Sequence, residues 1–313
     1  MTPHVRCRKT LRLGAVALLT LAAGVASPAA TYLDDAGRAV TLERPPARVV
    51  TLAPNLTEFV YAVGAGSTLV GTVSLSDYPE QARALPHIGD YRRFDVERLL
   101  TLKPDLVLAW HHGNPGRELA QLEAAGLRLY RLEPRRLADV PRALERVGEL
   151  LGHADEGLRV AARLRDELEA LRQRHADAAP VSVFYQVWQN PLMTLNGRHI
   201  VSDVIDLCGG HNVFADLPQL VPQLSSESVV AVDPEAILVA RQVPGDTAGA
   251  RRDPAHPLLA GWQRYPHLTA VRRRWLYTLP GDAITRQGPR IAEGARAVCS
   301  ALDEVREERR AGP

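Results

Sequence analysis

ADEGLRVAARLRDELEALRQRHA, residues 154–176, holds no proline, and its single glycine, Gly157, lies near its start. Leu158, Ala161, Arg165, Leu168 and Leu171 step at helical spacing, and all but Arg165 are apolar. Leu164 widens the stripe, and charges fill the other faces. The spacing predicts one helix of about 23 residues, about 35 Å long and able to run across a whole lobe. Ala178, Ala179 and Pro180 close it.

On either side of this segment the pattern alternates between strand and helix, which argues for parallel sheets with helices on their faces. Before it, TYLDDAGRAVTLE (31–43) reads as a hairpin, with its turn at Asp35, Ala36 and Gly37. Strands follow at 48–53, 69–73, 106–110 and 128–132, and helices at 57–63, 97–102, 118–125 and 140–151. After it, strands are expected at 181–187, 236–240 and 274–279. Helices are expected at 200–208, stopped by Gly209 and Gly210, at 226–232 and at 289–305. The two halves echo each other: ERLLTLKPDLVL (97–108) and ESVVAVDPEAIL (227–238) both run Glu, apolar stretch, Pro, acid, apolar strand. The fold expected is α/β: two Rossmann-like lobes (31–152 and 180–313), each with a central, mostly parallel sheet, joined by a single long rigid helix (153–179).

Residues 1–30 read as a secretory signal peptide. Arg6, Arg8, Lys9 and Arg12 precede an apolar run from Leu13 to Ala26 that is too short to span a membrane, and small residues follow. Cleavage after Ala30 leaves 34 basic against 36 acidic residues, so the net charge of +2 reverses and no nucleic-acid footprint remains. The mature chain is expected to be a soluble periplasmic protein. Its two cysteines, Cys208 and Cys299, form either a disulfide, favoured by an oxidising compartment, or two buried thiols.

No Walker loop, GxSxG elbow, HExxH, CxxC or strand-borne GxGxxG occurs, so the chain points away from catalysis. His111 and His112 are adjacent and should point apart on an extended chain; no structural zinc spacing is present. Asp77 and Asp282 are far apart in sequence, with nothing to suggest a pair. What the chain does carry is aromatic and charged residues at strand ends: Tyr78, Tyr91, Trp110, His111, Trp188, Asp282 and Arg286. Ligands of open α/β sheets bind outside the carboxyl ends of strands, and aromatic faces with a few polar groups suit a large flat ligand. Glu97 and Glu227 each open a helix behind Asp95 or Ser226 as cap, where a carboxylate complements the helix dipole.

RVVTLAPNLTE, SDYPEQA, ERLLTLKPDLVLAW, DLCGGHNVF, the helix start at Glu227 and GDAITRQGPRI together resemble the periplasmic solute-binding proteins of the cobalamin, haem and iron-siderophore class. The SDYP segment, the AW strand ending and the paired cysteines point to its cobalamin branch. The resemblance implies a Cys208–Cys299 disulfide. It implies that Glu97 and Glu227 dock on arginines of a membrane permease, and that the strand-end residues contact the ligand. It also implies a monomeric ABC-importer subunit that captures a corrinoid such as cobalamin, with no resident cofactor or metal. Val187 and Val221 stand where the family carries aromatics, Tyr91 replaces a tryptophan, and His111–His112 replaces an Arg-Gly pair. A haem or iron chelate is the second ligand class admitted, with His111 or His112 reaching its metal; a metal-dependent enzyme built on the histidines is the reading of another class.

Overall fold

The computed structural model describes residues 1–2, 29–243 and 248–312. The expected signal segment therefore lies almost wholly outside the described residues. Among those residues, no helix is long and apolar enough to cross a membrane.

The chain opens with a hairpin, β1 (Ala30–Leu33) and β2 (Ala39–Leu42), closed by Asp34, whose Oδ1 accepts from the Ala36 and Arg38 amides. Then come β3 (Val49–Thr51), α1 (Pro54–Ala62), β4 (Leu69–Gly71), α2 (Val96–Thr101), β5 (Leu106–Trp110), α3 (Gly116–Ala124), β6 (Leu129–Leu132) and α4 (Asp139–Leu150). Proline at the first helical position of α1 starts that helix earlier than the sequence suggested, because Pro54 gives up no hydrogen bond there. The four strands form one parallel sheet in the order β4-β3-β5-β6.

The linking helix α5 spans Ala154–His175. Its buried stripe is Gly157, Ala161, Leu164, Leu168, Leu171 and His175. Leu158, expected inside, is 54% exposed. Gly157 takes its place because α4 and α5 touch there: a Cβ on Gly157 would lie 2.8 Å from the Leu144 carbonyl oxygen and 3.0 Å from the Gly148 Cα. One buried apolar cluster runs from Val49 through Ala161, Leu164, Leu168 and Leu171 to Val305, so the helix is packed into both halves.

The second half holds β7 (Val181–Gln186), the small hairpin β8 (Trp188–Gln189) and β9 (Leu192–Met193), α6 (Ile200–Leu207), β10 (Gly210–Asn212), α7 (Ser226–Val232) and β11 (Ala236–Arg241). It continues with β12 (Arg251–Arg252), the short α8 (Pro257–Ala260) and α9 (Thr269–Arg272), β13 (Leu276–Pro280), α10 (Gly281–Thr285) and α11 (Ile291–Ala311). The sheet order is β10-β7-β11-β13-β12, parallel except for β12. Gly209 stops α6 with φ +68°, but Gly210 already belongs to a strand, not to the helix stop. A Cβ at 210 would meet the Leu302 and Ile205 side chains at 2.7 and 2.8 Å, so glycine lets this edge strand close onto α6 and α11. Cys208 and Cys299 form a disulfide that ties α6 to α11 across a sequence separation of 91 residues.

Both sheets share a connectivity: the first strand lies between the second and third. The order therefore reverses between β3 and β5 and between β7 and β11. Crevices outside the carboxyl ends of such strands are where ligands bind in this architecture.

Candidate functional site

The loops leaving β3 and β5 are locked together by Asn114. Its Nδ2 donates to the carbonyls of Leu52 (2.9 Å) and Tyr91 (2.8 Å), and its Oδ1 accepts from the Trp110 amide. This buried amide fixes Tyr91 and Trp110 beside each other's loops. Trp110 is half-buried against the core, and Gly113 lies so close to its ring that a Cβ would come within 1.9 Å of a ring carbon. Residues 111–114 turn back, with the Asn114 amide donating to the Trp110 carbonyl at 2.9 Å. The turn brings the two histidine rings to 4.2 Å, edge to face, where an extended chain would have parted them. Burial, and then its neighbour His112, push the His111 imidazole down from its ordinary value.

Tyr78 rides on a loop held by buried hydroxyls: Thr51 and Thr57 bond each other at 2.7 Å, and Thr72 donates to Ser76 at 2.8 Å. Tyr78 and Tyr91 are 37% and 39% exposed. In the second half, Trp188 is 55% exposed with its indole N–H on the Asn190 carbonyl, and Leu220 and Val221 are also open.

Asp282 and Arg286 sit in an ion junction between the halves. The Arg286 guanidinium meets Glu58 Oε1 at 3.0 Å, Asp77 Oδ1 at 2.8 Å and Asp282 Oδ1 at 2.9 Å. Arg290 holds Glu58 bidentately, Nε to Oε2 at 2.9 Å and Nη2 to Oε1 at 2.6 Å, and its guanidinium lies 4.1 Å over the Tyr78 ring. Asp77 and Asp282, unrelated in the sequence, thus converge on one cation. Burial pushes the Glu58 carboxyl up from its ordinary value, and Arg290 and Arg286 pull against it. Neither Glu58 nor Arg290 was singled out from the sequence. The one signal available was a glutamate inside the apolar run Leu56–Val60, all of it buried.

A cavity of about 600 Å³ lies beside this junction, lined from the first half by His112, Glu133, Arg135, Arg136 and Asp139 and from the second by Arg198, His199, Leu220 and Gln287. His112, not the expected His111, is on its wall. Tyr78, Tyr91, Trp110 and Trp188 are not among its lining residues. On its other flank the halves are tied again: Arg136 pairs with Asp203 and donates to the Gly197 carbonyl at 3.0 Å, while Asp203 accepts from the Leu137 amide at 2.9 Å. His199 caps α6, its Nδ1 accepting from the Val201 amide, and burial pushes it down to about 4. An accepting ring nitrogen must be unprotonated, so cap and burial agree on neutral imidazole. Among the described residues, no group of three or more His, Cys, Asp or Glu side chains converges to hold a metal ion.

Glu97 and Glu227 are both exposed and occupy the same place in their lobes, the second helical residue of α2 and of α7. Asp95 caps α2 by accepting from the Arg98 amide. The cap of α7 is Ser225, whose Oγ accepts from the Ser228 amide, one residue earlier than the expected Ser226. The Glu227 backbone amide and then the Ser225 hydroxyl hold the Glu227 carboxyl below its ordinary value.

Residues 49–283 match the periplasmic binding protein family. The chain belongs to that family. It is 35% identical over 259 residues to the vitamin B12-binding protein of Photorhabdus laumondii, covering 83% of this chain and 89% of that one. The crystal structure of the periplasmic vitamin B12 binding protein of Vibrio cholerae superposes with a TM-score of 0.73 at 33% identity, over 83% of this chain and 98% of that one. A periplasmic heme-binding protein from a Roseiflexus species, in apo form, gives 0.71 at 27% identity, over 82% of this chain and 98% of the other.

Proposed function

We propose that this protein is the periplasmic solute-binding subunit of an ABC importer, a binding module rather than an enzyme, and that it captures a corrinoid such as cobalamin between its lobes. The observation that carries this reading is the likeness to vitamin B12-binding proteins at about one residue in three along nearly their whole length. Half-exposed Tyr78 and Tyr91 and exposed Trp188 supply apolar faces for a flat macrocycle. The cavity and the adjoining junction supply polar groups to orient it. Glu97 and Glu227, exposed at matching helix starts, are the carboxylates that meet the permease.

Titration of the exported protein with cyanocobalamin, hemin and a ferric siderophore, followed by tryptophan fluorescence, tests the reading. Saturable quenching by cyanocobalamin with much weaker response to the other two is expected. Tight binding of hemin alone would replace the corrinoid by a haem.

A further inference from the structure

We propose that Gln287 reads a primary carboxamide on the ligand, so that the site separates an amide-bearing macrocycle from one bearing carboxylates. The inference rests on the corrinoid reading above and assigns its chemical selectivity to one residue.

Three observations meet at Gln287. It lines the inter-lobe cavity. Its Oε1 is buried without a protein partner among the described residues. Its backbone is held at φ +37°, a left-handed conformation that a side chain other than glycine adopts at a cost. Its neighbours explain how that conformation is imposed. Arg286, before it, is gripped by three carboxylates. Gly288, after it, is packed so that a Cβ would lie 3.6 Å from the Asn55 Cβ and 3.8 Å from Glu58 Oε2. Arg290 completes the clamp on Glu58. The segment is thus pinned to the opposite lobe on both sides of a strained residue whose amide is left without a partner for its oxygen. Such over-determined strain gathers at functional sites.

The surroundings decide which ligand group fits. Among the described residues, the buried side-chain atoms without a protein partner include four in this region: Asn55 Nδ2, Asp77 Oδ2, Gln287 Oε1 and Arg290 Nη1. Donors and acceptors are both represented, which matches a group that is itself both. The two guanidiniums of the junction, Arg286 and Arg290, already face three carboxyl groups, Glu58, Asp77 and Asp282. A ligand carboxylate placed against Oε1 sets an acceptor facing an acceptor. A carboxamide facing the Gln287 amide makes two antiparallel N–H···O bonds, where a carboxylate makes one, from Nε2. Turning the terminal amide about its soft last torsion presents it to the cavity it already borders. Three arginines line the cavity, and each has a protein partner: Arg136 is held by Asp203 and the Gly197 carbonyl, Arg135 lies against His112 and Glu133, and Arg198 donates to the Pro218 carbonyl. Corrinoid side groups are carboxamides and those of haem are carboxylates, so one glutamine at this place sorts the two classes.

Calorimetric titration with cyanocobalamin and with its separated peripheral monocarboxylic acids, each carrying one hydrolysed amide, provides the test. Wild type should bind at least one monoacid roughly tenfold more weakly than cyanocobalamin. In Gln287→Gly that ratio should fall toward one, with cyanocobalamin itself weakened and the melting temperature unchanged or raised, because glycine adopts the left-handed backbone freely. Gln287→Met keeps the backbone strain and side-chain size, and should show the same collapse. An unchanged ratio in both variants, or a wild type that discriminates against no monoacid, overturns the proposal and leaves the corrinoid reading standing. A wild type that binds no cyanocobalamin overturns both.

Discussion

The segments 97–108 and 227–238 are the same structural sentence written twice, and where they part company is instructive. Each starts a helix with its glutamate at the second helical position behind a side-chain cap. Each ends that helix on a residue forced into the left-handed region before a proline: Lys103 at φ +45° and Asp233 at φ +43°. Each then uses the acid after the proline to tie the start of a neighbouring strand. Asp105 accepts from the Ala47 and Arg48 amides, and Glu235 accepts from the Ser182 amide and hydroxyl. The difference lies in the strained residue itself. The Asp233 carboxylate caps α9, accepting from the Thr269 amide at 2.7 Å and its hydroxyl at 2.8 Å, whereas Lys103 gives only its backbone, its carbonyl accepting from Arg48 Nε at 3.2 Å. Repeated topology therefore dictates backbone geometry, while each lobe finds its own use for the side chain.

The sharpest way to break the comparison is at its functional end. Glu97→Lys combined with Glu227→Lys should lower ligand uptake by cells roughly 100-fold, a loss on the scale of a disrupted charged interface, while the affinity for ligand in solution stays unchanged. If the two lobes are equivalent toward the permease, each single variant should lose a similar share. Loss of ligand affinity in the double variant would show instead that the glutamates serve the cleft.

The next effect concerns what joins the lobes. Glu58→Ala leaves Arg290 and Arg286 buried without their shared partner and should cost about 3–5 kcal/mol of stability in urea unfolding. Glu167→Ala, which breaks a half-exposed pair between the linking helix and Arg296 of α11, should cost at most about 1 kcal/mol. Equal costs would mean that the junction is wetter than its geometry implies.

The smallest effect is the most discriminating. Lys103→Gly relieves a left-handed backbone at no loss of side-chain contact and should stabilise by about 0.5–1 kcal/mol. Asp233→Gly relieves the same backbone but removes the cap on α9, and should come out neutral or destabilising by about 1 kcal/mol. Thermal melts should therefore rise for Lys103→Gly and not rise for Asp233→Gly, and parallel shifts would refute the division of roles.

How much was legible follows from how local each signal is. The order of strands and helices could be read because prolines, glycines and apolar runs act within a few residues of themselves. β10 was missed because Gly210, His211 and Asn212 carry no apolar alternation; they become a strand only because β7 lies beside them. The cap of α7 was placed one residue late because two serines are adjacent and only the backbone direction chooses Ser225. Tyr78, Tyr91, Trp110 and Trp188 were visible as aromatic residues at strand ends. Their relation to the cavity was not, since its walls come from Arg136, His199 and Gln287, which neighbour one another only in space.

By itself the sequence determined an α/β chain with two echoing halves on a long helix, the positions of both exposed glutamates, and the cysteines available for a bridge. Periodicity, punctuation and capping are short-range physics, and they survive in any view of the chain. Only the tertiary structure decided that Glu58 meets Arg290 across 232 residues of sequence, that Asp77 and Asp282 share one guanidinium, and that Gln287 stands strained at the wall between lobes. Those pairings are chosen by which surfaces desolvate each other when the halves close around α5, and burial of that kind leaves no periodic trace along the chain.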